Sequence, residues 1–196
     1  MAYVEEVSDR AASEAAADML AIDRERFGYV PNFTRALAHR PAAYAAWRRL
    51  NAEIMGGMDV RRYELVTLAA ARRLGSSYCA LAHGKVLAER FLDPASVRDI
   101  AADHRCAGPD AVDVAVMDLA ERVAGDAGAI TQADVDRLRG LGLADADVVD
   151  VVLAAAVRSF FSKTLDALGV EPDRVFADLE PGLREALTVG RPIAAV

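Results

Sequence analysis

The sequence predicts an all-α protein, and three observations carry that reading. Hydrophobic residues make up 54% of the 196 and aromatics only 6%. The core is therefore built mainly from Ala, Leu and Val, and alanine is the strongest helix former. Apolar positions recur at three- and four-residue spacing in one segment after another. No alternating strand pattern of any length appears. Punctuation by Gly, Pro and capping residues divides the chain into about seven to nine helices. With no low-complexity linker and no internal repeat, residues 1–196 read as one domain.

The elements follow in order. Residues 8–26 are amphipathic, with Ala12, Ala15, Ala16, Met19, Leu20 and Ile22 spaced for one helical face. Gly28 and Pro31 end that segment, and 32–38 fits a short helix. Pro41 suits a first helical turn, and that helix should run to about Met55 and stop at Gly56-Gly57. Asp59 is a good N-cap for a helix reaching Leu74, with Gly75 just past its end. Ser76 or Ser77 then caps the next helix. Asp93-Pro94 opens one ending near Cys106, and Gly108-Pro109-Asp110 opens one to about Ala124. Thr131 with Asp134 resembles a capping box, and Gly140 stops that short helix. Asp145 should cap the last long helix, which ends at Gly169; the tail after Pro172 is a short helix or a wrapped arm.

Charge and composition exclude some functions. The net charge is −7, which suits neither a phosphate backbone nor an anionic membrane. Segment 131–157 looks like a helix–turn–helix, but Asp145, Asp147 and Asp150 stand where a recognition helix would be basic, so packing explains it. The first residues, Met1-Ala2-Tyr3-Val4-Glu5-Glu6, lack the features of a signal peptide. The apolar run 148–157 is too short to span a membrane and reads as a buried helix. The two cysteines, Cys79 and Cys106, do not form a disulfide framework. A cytoplasmic location is expected, where thiols stay reduced.

The chemistry concentrates around Cys79. On a helix, Ser76, Cys79 and His83 share one narrow arc, and the i,i+4 spacing puts His83 in reach of the thiol. Cys79, preceded by Tyr78, lies in the first turn, where free N–H groups and the helix dipole favour thiolate. Glu64 lies one helix earlier and, in an antiparallel hairpin, could orient His83 or carry a proton. Such a thiolate can attack a peroxide O–O bond and become a sulfenic acid. Against this stands the ordinary behaviour of each residue: free cysteine usually packs as a small hydrophobe, Glu64 alone is a solvated helix residue, and Ser76 alone is a cap. Glu64, Cys79 and His83 could also be three zinc ligands.

This segment resembles the AhpD-like superfamily, which holds alkylhydroperoxidase D, peroxidase-related enzymes and carboxymuconolactone decarboxylases. The alkylhydroperoxidase signature is a glutamate, a gap, then Cys-x-x-Cys-x-x-x-His. Glu64 matches the glutamate, Ser76 falls on the first cysteine, Cys79 on the second and His83 on the histidine. Gly28-Tyr29-Val30-Pro31-Asn32 and Ala38-His39-Arg40-Pro41 resemble the N-terminal part of the peroxidase-related branch. Residues 131–170, with Leu141-Gly142-Leu143 and Asp166-Ala167-Leu168-Gly169-Val170, resemble its C-terminal part. The likeness spans roughly residues 25–175.

The resemblance implies an AhpD-like helical fold and reduction of a small hydroperoxide by Cys79, with Glu64 and His83 relaying protons. It implies no metal or organic cofactor, and a homo-oligomer, a trimer or hexamer. Ser76 departs from the pattern: serine cannot form a disulfide, so a sulfenic acid at Cys79 would need an external thiol or Cys106, which is predicted on a different helix. The decarboxylase branch lacks the cysteine pair, so a lyase stands as an alternative, as does a non-catalytic member with a structural or redox-sensing cysteine. Ser159 and Ser162 stand where the peroxidase-related branch often has asparagine.

Other residues have plainer readings. His39 and His104 are read as helix-end residues meeting terminal carbonyls. Arg61, Arg62, Arg72 and Arg73 form a basic stripe of solvated ion pairs. Phe27, Phe33, Tyr44 and Trp47 could wall a pocket, but ordinary core is the favoured reading.

Overall fold

The computed structural model describes residues 2–107 and 109–195. Met1, the start of the stretch read for a signal peptide, and Gly108, the first residue of a predicted helix start, lie outside the described residues.

The helices are α1 (Glu14–Phe27), α2 (Asn32–Leu37), α3 (Pro41–Gly56), α4 (Val60–Arg73), α5 (Ser77–Arg90), α6 (Pro94–Asp103), α7 (Ala111–Asp126), α8 (Gln132–Gly140), α9 (Asp145–Ala167) and α10 (Pro181–Leu187). Short 3-10 turns cover Ala127–Ala129 and Arg174–Asp178, and no strand occurs among the described residues. The protein is all-α.

Helix α4 is the axis of the molecule. Every residue from Tyr63 to Ala71 is buried, because α5, α7 and α9 pack around it. A helix covered on all sides must be apolar all round, and Leu65, Val66, Leu68, Ala69, Ala70 and Ala71 supply that surface. Small alanines let the neighbouring helices approach closely. The arginines near its ends reach out of the core. Arg61 and Arg62 close on Asp113 of α7, and Arg72 donates to the Ala186 carbonyl. The basic stripe is thus mostly paired within the fold.

Several details differ from the sequence expectation. Helix α1 starts at Glu14 rather than residue 8, because Ser13 caps it by accepting from the Ala16 N–H at 3.3 Å. Ahead of it the chain forms an arm, with Asp9 paired to Arg24 and Arg35. Helix α6 ends at Asp103, leaving Cys106 in the following turn. Helix α9 is capped at Ala144 instead of Asp145: the Asp147 carboxylate turns back to accept from the Ala144 N–H at 2.7 Å, while Asp145 pairs with Arg139. His39 holds the Glu5 carbonyl at 2.8 Å, so it pins the N-terminal arm rather than a helix end. His104 does sit at the C-cap of α6, but its ring bonds Asp118 at 3.0 Å. The tail is both a helix and a wrapped arm, since α10 packs on α5 and α6.

Candidate active site

The site is built on the α4–α5 hairpin. Gly75 turns the chain with φ of 70°, a left-handed conformation that L side chains resist. Helix α5 then runs back along α4. The hairpin sets Glu64 opposite His83, with Nδ1 and Oε2 2.5 Å apart. Both are buried apart from one narrow face. Burial, then the Arg158 charge, push His83 below the ordinary histidine value, against the raising effect of Glu64. A neutral ring that donates Nδ1–H to Glu64 keeps its Nε2 lone pair free to accept a proton.

Cys79 is 1% exposed on the same helix. Its sulfur accepts from Arg158 Nη1 at 3.6 Å. Arg158 Nη2 donates to the Tyr63 hydroxyl at 3.4 Å, and that hydroxyl donates to Asn51 Oδ1 at 2.7 Å. The guanidinium also lies over the Phe161 ring, 5.6 Å from its centre. Four helices, α3, α4, α5 and α9, therefore converge on one sulfur.

Cys79, Glu64, His83 and Arg158 all line a pocket of about 260 Å³. Phe27, Phe33, Tyr44 and Trp47 line it too. They form its wall, where the sequence favoured ordinary core. Trp47 stacks on Phe161 with ring centres 4.1 Å apart, and Tyr44 lies parallel to Trp47 on another side. The wall is rigid because these rings brace one another. Arg48, at the pocket edge, is held by buried Asp23 at 3.1 Å.

Tyr78 also lines the pocket, and its hydroxyl donates to Asp173 in the C-terminal arm. Tyr29 and the Asn32 N–H bond the same carboxylate, at 3.1 and 2.8 Å. Burial raises the Asp173 carboxyl above the usual carboxylate range. The arm is thus fastened beside the site.

Ser76 is fully buried at the start of α5 but gives no side-chain cap. Its hydroxyl faces Asp166, whose carboxyl burial pushes up. Neighbouring Ser77 accepts from the Gly190 N–H at 2.7 Å. Cys106 is exposed and does not line the pocket. Ser159 bonds the Ala155 carbonyl at 2.8 Å, and Ser162 is buried; neither lines the pocket. The zinc reading does not survive the geometry. Glu64, Cys79 and His83 do not bring their ligand atoms within 4.8 Å of one another; among the described residues only His104, Asp118 and Glu121 do. Arg105 and Arg137 already hold those carboxylates.

Residues 41–122, which carry α3 to most of α7, match the carboxymuconolactone decarboxylase family. Among solved structures, the chain is similar to the alkylhydroperoxidase AhpD core of an uncharacterized peroxidase-related protein from Ralstonia eutropha JMP134. The TM-score is 0.81 at 23% identity, over 89% of this chain and 94% of that one. The family match covers less than half of the chain, and the structural likeness shows that the two proteins share a fold.

Other solved structures agree in fold. An uncharacterized peroxidase-related protein from Silicibacter sp. TM1040 gives a TM-score of 0.76 at 21% identity, over 90% of this chain and 91% of that one. The debrominase Bmp8, solved as a cysteine-to-alanine variant in complex with 2,3,4-tribromopyrrole, gives 0.72 at 12% identity, over 94% of this chain and 95% of that one. None of the curated proteins matches the chain significantly. The family match contains Glu64, Ser76, Cys79 and His83 but ends well before Arg158.

Sequence reasoning missed Arg158, Tyr63 and Asn51. One signal was present for the first. Arg158 is a single charge set within the apolar run of α9, between Val157 and the Ser159-Phe160-Phe161 stretch. An arginine on a buried helix face must have a partner there.

Proposed function

We propose that the protein reduces a small hydroperoxide with Cys79 as its single attacking thiol and an external thiol as reductant. One observation carries the reading: the Cys79 sulfur and the Glu64–His83 pair face the same aromatic-walled pocket. An organic hydroperoxide offers an apolar body to the wall and a polar O–O group to the sulfur.

The thiol proton passes to Nε2 of His83, and Glu64 stabilises the resulting imidazolium. The sulfur attacks the terminal oxygen of ROOH. An S–O bond forms and the O–O bond breaks. The leaving RO⁻ takes the proton back from His83, giving ROH and Cys79 sulfenic acid. A first external thiol then forms a mixed disulfide with release of water, and a second frees Cys79 and leaves as the external disulfide. Ser76 cannot take the part of a resolving thiol. Cys106 lies away from the pocket, so the electrons come from outside.

A carboxymuconolactone decarboxylase-like lyase is the second reading, favoured by the family match over residues 41–122. We place the protein in the cytoplasm, where a thiol reductant is at hand. No helix among the described residues is long and apolar enough to cross a membrane. A homo-oligomer belongs to the same proposal.

The test is chemical. The protein is exposed to cumene hydroperoxide with a 1,3-diketone trap, and the Cys79 peptide is weighed by mass spectrometry. A trap adduct on Cys79, with peroxide consumed and both effects absent from Cys79→Ser, is expected. No adduct and no peroxide loss would leave the lyase or a structural thiol in its place.

A further inference from the structure

We propose that Arg158 is the charge partner of Cys79, holding the sulfur in its anionic forms, thiolate before attack and sulfenate after it, while Glu64 and His83 only move protons. The proposal concerns the thiol itself and stands whether or not a hydroperoxide is the substrate.

Arg158, 5% exposed, is a buried charge without a carboxylate partner among the described residues. Arginine does not lose its proton in proteins. A buried guanidinium without an anion is strongly disfavoured. Its partners are the Cys79 sulfur, the Tyr63 hydroxyl and the Phe161 face. Of these, the thiol is by its chemistry the more acidic group, ahead of a phenol, and a ring face has no proton to lose. Tyr63 is fixed as an acceptor, because its own proton goes to Asn51. The pair Tyr63–Asn51 therefore aims the guanidinium at the sulfur.

The other charged groups around the pocket are engaged elsewhere. From α4, Glu64 holds His83. From α3, Arg48 is held by Asp23. From α1, Arg26 lies over the Phe27 ring at the pocket edge. His83, on α5 itself, is a poor standing counter-cation, since burial and Arg158 both lower its hold on a proton; it is charged only while it carries the thiol proton. Two basic groups thus divide the work, one as fixed charge and one as proton carrier. Arg158 also retains a buried Nε with no acceptor, a donor that an added oxygen on the sulfur could use.

The division also bears on Ser76. A dithiol site protects its sulfenic acid by closing a disulfide. A single-thiol site must instead keep the oxidised sulfur in place until an external thiol arrives, and a guanidinium hydrogen-bonded to sulfenate does that.

The test uses a Cys106→Ser background, so that Cys79 is the only thiol. Iodoacetamide alkylation of Cys79 is followed across pH by mass spectrometry for Arg158→Met, Arg158→Lys and His83→Gln. For Arg158→Met, alkylation near neutral pH falls about tenfold or more, the profile midpoint rises by about one pH unit or more, and the rate recovers at high pH. Arg158→Lys stays close to the parent, and His83→Gln moves the midpoint much less. A Met profile overlaying the parent, or a His83→Gln shift equal to it, overturns the proposal. If Arg158→Met does not fold, the ultraviolet thiolate absorbance of the parent decides. Titration below the free-cysteine value of about 8.5 supports the proposal, and titration at or above it refutes it. Diketone trapping is scored separately. A failed trap with a shifted alkylation midpoint refutes the peroxidase reading and leaves Arg158 in place, whereas a positive trap with no shift does the reverse.

Discussion

His83 shows how much one buried side chain can govern. Burial and Arg158 keep its folded value below the ordinary histidine range. Above about pH 6.5 the ring is neutral in both folded and unfolded chains and costs nothing. As the pH falls through that value, the unfolded chain takes up a proton and the folded one resists, so stability drops with pH. Urea midpoints should therefore fall more between pH 7.5 and 5.5 in the parent than in His83→Gln, which cannot titrate but can still donate to Glu64. Asp166 and Asp173, whose carboxyls are pushed up by burial, act in the opposite direction in both proteins and cancel in the comparison. Equal falls would mean that His83 is not the titrating group. A second expectation concerns Ser76. If the missing partner thiol limits the cycle, Ser76→Cys should raise peroxide turnover with a dithiol reductant, measured against the same protein with a monothiol. Unchanged turnover would place the limit elsewhere. Glu64, Cys79 and His83 could be brought together from the sequence, because they lie on two consecutive helices at fixed spacing, whereas Ser76, the cap between those helices, does not line the pocket. Arg158 and Asn51 could not: they reach the sulfur from α9 and α3, and only tertiary packing brings those helices there.

At the scale of elements, local capping chemistry made the helices legible. Asp59, Asp93 and Asp110 each accept from a first-turn N–H, as their positions implied. The misplacements have the same cause. Asp147 outcompetes Asp145 for the start of α9 by reaching the Ala144 N–H, and Ser13 truncates α1. What local chemistry could not show was the docking of α10. Leu187 is fully buried, and a Cβ added at Gly84 of α5 would meet its Cδ1 at 2.5 Å. Gly84 is there to let the tail close on the helix that carries Cys79. Gly84→Ala should lower the unfolding free energy by about 1–3 kcal/mol through overpacking, despite alanine's better helix propensity. Leu187→Ala should cost about 2–5 kcal/mol by leaving a cavity. The double variant should be less destabilised than the sum by at least about 0.5 kcal/mol, because each change relieves the other. Strict additivity in urea melts would show that the two side chains do not share that space.

For the whole molecule, one surface stands apart. Phe160 is 61% exposed, Val149 54% and Leu50 53%, on the outer faces of α9 and α3. Phe160 and Leu50 line an apolar cleft of about 450 Å³ that includes Leu153 and Trp47. An acidic chain with net charge −7 has ample charge to cover its surface, yet these positions are apolar. Exposed apolar patches of this kind mark association sites. The sequence read 148–157 as a buried helix, and the fold divides it: Val148, Val151, Ala154 and Ala155 face the core while Val149, Val152 and Leu153 face out. Trp47 lines both this cleft and the Cys79 pocket, so a subunit seated here would brace the pocket wall from behind. Phe160→Glu tests the homo-oligomer. On a monomer, an exposed substitution leaves stability within about 0.5 kcal/mol. At a packed interface, it removes an aromatic anchor worth about 2 kcal/mol or more, weakening association at least about 30-fold. The expected result is a loss of mass by light scattering with an unchanged circular dichroism spectrum, together with reduced peroxide turnover. A parent protein that is already monomeric would end the oligomer proposal. An oligomer unaffected by Phe160→Glu would move the interface to another face and leave the Trp47 wall to be held by α9 alone.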